Sequence, residues 1–161
     1  MKKIIFFTAA FCLVFSGVAL ANTDGRLGLG ASYDSDVHIR KGLSNGNVVG
    51  GGISFSSTDQ GEETNTDIGL RGEFEKNLKA GDHAQLNLLL ALNLGLPEGA
   101  TIITPMAGFR ARVWMGNNFS VAASHGLAIE IISPDEGDSL TNFGTFSQNI
   151  TQVEFTYWMD N

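Results

Sequence analysis

Apolar side chains at every second position, repeated through eight successive stretches, constrain this chain more than any other feature. Successive side chains of a strand point to opposite faces, so a strand with one apolar face has period two, whereas a helix repeats every ~3.6 residues. Leu27, Leu29, Ala31 and Tyr33 alternate with Arg26, Gly28, Gly30 and Ser32. Val37, Ile39 and Leu43 then alternate with His38, Arg40 and Gly42, and Val49, Ile53 and Phe55 with Gly50, Gly52, Ser54 and Ser56. The fourth run sets Ile68, Leu70 and Phe74 against Asp67, Arg71, Glu73 and Glu75. The fifth places Ala84, Leu86, Leu88, Leu90, Leu92, Leu94 and Leu96 opposite His83, Gln85, Asn87, Asn93 and Gly95. A leucine-rich helix would scatter those polar residues around its circumference; a strand keeps them on one side. Ala107, Phe109, Ala111 and Val113 face away from Met106, Gly108, Arg110 and Arg112. The last two runs oppose Phe119, Val121, Ala123, Leu127, Ile129 and Ile131 to Ser120, Ser124, Gly126 and Glu130, and Val153, Phe155, Tyr157 and Met159 to Gln152, Glu154 and Thr156.

Eight strands, an even number, let an antiparallel up-and-down sheet close on itself with both ends of the chain on one side, so the expected fold is all-β. Ser44-Asn45-Gly46-Asn47 reads as a hairpin turn. Short connections at 43–47, 77–82 and 115–118 share the end that carries the termini. The opposite end receives long acidic loops at 58–66 and 133–144, with short connections near Ser35 and Glu98. Pro105 has no N–H to give a ladder and is expected at the loop-side start of its strand, leaving Met106 to Trp114 as the span.

The first residues predict export. Lys2 and Lys3 precede an apolar run from Ile4 to Val14, and Ala19-Leu20-Ala21 is a small-x-small cleavage pattern. The run is shorter than the ~20 apolar residues that a helical span needs, so residues 1–21 read as a signal peptide and 22–161 as one mature domain. Cys12, the single cysteine, leaves with the leader, which removes disulfides and thiol ligands from consideration. Ten Lys and Arg less Lys2 and Lys3, against seventeen Asp and Glu, give a mature charge of −9 and exclude nucleic acid as a natural partner.

Alternation alone does not say which face looks inward. A soluble periplasmic barrel of the lipocalin kind, holding an apolar ligand, has the same period with the faces exchanged. Three features favour a polar interior and a lipid-facing exterior. The five arginines lie on the polar face, while Lys41, Lys76 and Lys79 stand at or near strand ends; a confined interior suits the planar guanidinium, which pairs bidentately with carboxylates. The same face carries Gly28, Gly30, Gly50, Gly52, Gly69 and Gly108, which make room for long neighbours. Aromatic residues gather in two bands, Tyr33, Phe55 and Phe146 at the loop end and Phe74, Trp114, Phe119 and Tyr157 at the turn end, as membrane interfaces select.

Over its mature length the chain resembles the small eight-stranded outer-membrane barrels of the OmpA/OmpX type. The local match is Thr104-Pro105-Met106-Ala107-Gly108-Phe109-Arg110, similar to strand openings of that class, and Tyr157-Trp158 lies near the usual terminal aromatic but is followed by Met159-Asp160-Asn161. The resemblance implies a transmembrane β-barrel in the outer membrane of a Gram-negative cell. Outer-membrane lipid would be its surroundings and the barrel-assembly machinery its partner during insertion.

Inside such a barrel Arg26, Arg40, Arg71, Arg110 and Arg112 are expected to face Asp67, Glu73, Glu75, Glu130 and Glu154 as a structural charge network, because buried charges persist only when paired. A gated ion path is the other use of the same charges. His125 interrupts the apolar face, but its neighbours two residues away are Ala123 and Leu127, so the His and Ser pair of lipid-hydrolysing barrels is missing and no enzyme is expected. His38, His83 and His125 lie on separate strands, residues 135–138 lack the order of a calcium loop, and Gly50-Gly51-Gly52 has no helix after it to hold a phosphate. No metal or cofactor is expected, and the role anticipated is structural or surface-interacting rather than that of a wide diffusion pore.

Overall fold

The computed structural model describes residues 23–32, 36–59, 64–145 and 152–160. The expected leader, Tyr33 and Phe146 lie outside them. Nine strand segments follow in order: β1 (Leu27–Ser32), β2 (Asp36–Gly42), β3 (Val48–Asp59), β4 (Thr64–Ala80), β5 (Ala84–Leu96), β6 (Ala100–Trp114), β7 (Phe119–Pro134), β8 (Leu140–Thr145) and β9 (Gln152–Met159). Each pairs antiparallel with the next from β1 to β8, except that β8 and β9 both pair with β7, on successive stretches of it, and β9 returns to β1. β8 and β9 together make the eighth stave, and the result is a closed, eight-stranded antiparallel barrel.

The walls are uneven. β4, β6 and β7 run for 17, 15 and 16 residues, whereas β1 and β2 have 6 and 7. The loops expected at 58–66 and 133–144 are correspondingly shorter than the sequence suggests. β3 continues to Asp59, which pairs with Thr64, and Leu140–Thr145 is strand rather than loop, with Phe143 opposite Ile129. The acidic flank of Asp135, Glu136 and Asp138 conceals this short run of strand-forming residues. Pro105 also differs from expectation. It lies inside β6, opposite Leu92 of β5, and the pairing to β7 skips from Ile103–Ile131 to Met106–Ala128, so the missing donor is accommodated by a gap on that side.

Alternation is obeyed around the wall with the polar face inside. Leu29, Ile39, Phe55, Leu90, Phe109 and Leu127 are each about half exposed on the outer surface, whereas Arg40, Arg110 and Arg112 are buried. Among the described members of the aromatic bands Trp114 is the exception. It shares the parity of Arg110 and Arg112 and points inward, where its ring lies 5.7 Å from that of Trp158; the pair covers the turn end of the lumen with Val48. Arg26 stacks over Trp114 and Arg112 over Trp158, at 5.4 and 5.1 Å. The tight turn between β2 and β3 places Asn45 and Gly46 at φ 64° and 72°, the left-handed region that Asn and Gly tolerate best.

Two glycines give opposite expectations. A Cβ on Gly42 would stand 1.5 Å from the carbonyl oxygen of Thr23, whose segment is folded against the turn end, whereas one on outward-facing Gly72 meets nothing within 4 Å. Gly42→Ala is expected to lower the urea midpoint of purified protein in detergent by the equivalent of more than about 1 kcal/mol. Gly72→Ala is expected to raise it by about 0.5 to 1 kcal/mol, because it removes only backbone freedom of the unfolded chain.

Candidate functional site

The inward residues stack in rows set by strand register. Counting from the loop end, one row holds Asp36, Ser54, Gly69, Gly95 and Ile102, the next His38, Gly52, Arg71, Asn93 and Thr104, and a third Arg40, Gly50, Glu73, Ala91 and Met106. Register thus sets Arg40 and Glu73 two strands apart with only Gly50 between them. A Cβ there would fall 2.9 Å from Cγ of Arg40 and 3.2 Å from Oε1 of Glu73. The absence of that side chain lets the guanidinium cross the intervening strand and donate Nε–H to Glu73.

Arg110 is the centre of the cluster. Its Nε donates to Ser124 Oγ at 2.8 Å, Nη1 to Glu75 at 2.6 Å and Glu73 at 2.9 Å, and Nη2 to Glu154 at 2.7 Å and Glu73 at 3.0 Å. Arg40 donates Nη2–H to the other oxygen of Glu154 at 2.6 Å, and Arg112 donates Nη2–H to both oxygens of Glu75 at 2.8 and 2.9 Å. Arg71 lies on the loop side of the cluster, 3.2 Å from Glu73 and 3.8 Å from both Glu154 and Asp36. Four guanidinium groups thus meet four carboxylates. All eight residues are at most 9% exposed, so the balance is struck within the protein rather than by solvent.

Of the residues expected in the network, Arg40, Arg71, Arg110, Arg112, Glu73, Glu75 and Glu154 come together in this way. Three others lie elsewhere. Arg26 is at the turn end, where Nε is 2.9 Å from the largely exposed Asp160 and its other nitrogens donate to the carbonyls of Asn117 and Trp158. Glu130 sits higher on β7, half-buried, and accepts from Asn142 Nδ2 at 3.1 Å. Asp67 lies on the loop side, lining a hollow with Gly69, Gly95 and Pro97. Glu130 and Asp67 share the polar parity of the cluster but stand at other heights, which parity does not specify.

In the sequence, the neutral residues that complete the cluster are visible only as members of the polar face. His38 Nε2 is 3.1 Å from both Thr156 Oγ1 and Arg40 Nη1, Asn87 donates to Glu75 at 2.6 Å, and Gln85 accepts from Arg112 at 3.3 Å. Asp36 precedes the alternating run that begins at Val37 and carries no sequence signal of its own, yet it opens β2. His125 faces outward, paired with Phe109, with Ala123 and Leu127 on its own face. Among the described residues no three His, Cys, Asp or Glu side chains form a metal-binding group. Searches of family models, curated proteins and solved structures find no match to this chain.

Removing the central charge exposes the dependence of the lumen upon it. Arg110→Leu leaves three carboxylates short of a partner and is expected to cost about 3 to 5 kcal/mol, the scale for breaking a buried pair. Glu130→Gln, at a half-buried position bonded only through a neutral amide among the described contacts, should stay within about 0.5 kcal/mol. Urea unfolding of the two purified variants beside the wild type tests both figures.

Proposed function

We propose that this chain is an integral outer-membrane β-barrel of the OmpA/OmpX kind, with a structural or surface-interaction role and without enzymatic activity. The observation that carries the reading is the separation of the two faces. Leucine, isoleucine, valine and phenylalanine cover the outside of the staves, and ionic groups occupy the inside. Water outside and a fatty ligand inside would call for the opposite arrangement, so the lipocalin-like alternative has no support from the side-chain distribution. Strands β3 to β7, of 12 to 17 residues, exceed the ~9 to 11 that a tilted strand needs to cross a bilayer. Phe55 near one end, with Phe74 and Tyr157 near the other, are exposed where interfacial rings would lie.

The filled lumen argues against a wide diffusion pore, since Arg40, Arg110 and Arg112 occupy its cross-section with bonded carboxylates between them. An enzyme at the outer wall lacks support as well: His125 has no serine two residues away on its face. The expected export signal and the apolar belt suit insertion by the barrel-assembly machinery into outer-membrane lipid.

Fractionation of cells expressing the whole chain tests the location. The protein is expected in the outer-membrane fraction, released only by detergent; recovery from soluble periplasm overturns the proposal. Leu90→Arg adds a second test, because a cation on the lipid face near mid-wall is expected to cost about 2 to 4 kcal/mol and to reduce the inserted fraction. On a water-facing surface the same change would be tolerated. His125→Phe should leave the inserted barrel intact.

A further inference from the structure

The outer wall carries its cations at one end only. Arg40, Arg71, Arg110 and Arg112 are buried in the lumen, and the other bases of the described barrel, Arg26, Lys41, Lys76 and Lys79, stand at the turn end or on the strand stretches leading to it. The loop end exposes Glu98, Asp135, Glu136 and Asp138, and no Lys or Arg among the described residues. Charge distributed in this way along the cylinder acts differently on the two leaflets of a surrounding bilayer.

An irregularity in β4 brings two of the lysines together. Phe74 and Lys76 point outward, opposite Leu90 and Leu88 of β5, and Asn77 lies opposite Asn87 on the inner face. In an unbroken ladder Leu78 would come next on the outside, opposite Leu86, and Lys79 would turn toward the lumen. Instead the register shifts between Asn77 and Lys79, Leu78 is the extra residue, and Lys79 itself stands opposite Leu86. The bulge thus sets Lys76 and Lys79 on one face. Their partners are two residues apart on β5, which separates the two Cα atoms by about 7 Å. Leu78 is half exposed beside them, and Phe74 and Leu90 begin the apolar wall on the side toward its middle.

Neither ammonium group is neutralised by the protein. Among the described residues no carboxylate pairs with Lys76 or Lys79, the exposed Asp82 of the adjoining turn included. Lys41, two strands away on the same rim, donates Nζ–H to the carbonyl of Gly25 at 2.6 Å. Of the other acids at this end, Asp160 lies 2.9 Å from Arg26, and Asp24 accepts from the Gly46 amide at 2.7 Å. We propose that Lys76 and Lys79 bind the headgroup of an anionic phospholipid in the leaflet at the turn end, with the phosphodiester between the two ammonium groups and the acyl chains along Phe74, Leu88 and Leu90. The inference deepens the membrane reading and rests on it. A lysine just beyond an aromatic band lays its stem along apolar surface and carries its charge into the headgroup layer, where it attracts anionic lipid. The acidic loop end offers no counterpart, so the selection is confined to one leaflet.

The test is electron paramagnetic resonance of the purified protein reconstituted in phosphatidylcholine bilayers that contain a trace of spin-labelled phosphatidylglycerol or of spin-labelled phosphatidylcholine. Lipid in contact with the wall gives a motionally restricted component. At about 0.01 M salt the relative association of the phosphatidylglycerol label is expected to exceed that of the phosphatidylcholine label by about twofold or more, averaged over all lipid at the wall. At about 1 M salt, where charges are screened beyond ~3 Å, the two should converge. Combining Lys76→Gln with Lys79→Gln should abolish the preference, and combining Lys76→Arg with Lys79→Arg should retain it. Equal restricted components for the two labels in the wild type, or a preference that survives the double glutamine variant, overturn the proposal and leave the barrel in its bilayer. Absence of a restricted component from both labels overturns the membrane reading and the lipid site together.

Discussion

Charges sealed inside a protein wall have only one another to answer to, and this barrel is arranged around that constraint. Arg110 uses all three of its guanidinium nitrogens on four different side chains, and the three carboxylates it holds are held in turn by Arg40, Arg71 and Arg112. A strand slipped by one residue would turn its charges out to the apolar surface, and a slip of two would keep the faces but separate Glu73 from both Arg40 and Arg110. The cluster therefore acts on register, which a uniformly leucine-coated exterior leaves weakly defined. The ions contribute specificity of pairing where their net contribution to stability is offset by desolvation.

That division explains what could be read from the sequence. Parity is local, so the direction of Arg110, Glu73 and Glu154 follows from the residues beside them. Height is not local, because it depends on how far each strand is displaced against its neighbours. Parity puts Glu130 and Asp67 on the same face as Asp36 and His38, and only height separates the pair that stands apart from the pair that joins the cluster. Position along the strand places Trp114 in an outer aromatic band, whereas its parity, which matches that of Arg112, is what decides its direction.

The strand ends show a second limit. Leu140–Thr145 is short and follows an acidic turn, and its strand character depends on β7 offering Leu127 to Ile132 beside it. Pro105 reads as a boundary because proline lacks a donor, yet a strand with neighbours on two sides can lose pairing to one and keep the other. In both cases tertiary pairing prevails over local preference.

The two tryptophans have a consequence of a different kind. Trp114 ends β6 and Trp158 lies in β9, two staves apart across β7, but the pair is covered only when Arg26, beside β1, stacks over Trp114 and Val48 of β3 joins the cluster, which requires that the last stave has found the first. Both are buried, and the chain contains no other indole. Intrinsic fluorescence of this protein is thus a reporter of closure of the cylinder and not of strand formation. Contacts this distant along the chain form late and slowly, so the emission change should lag behind the circular dichroism of the sheet during refolding.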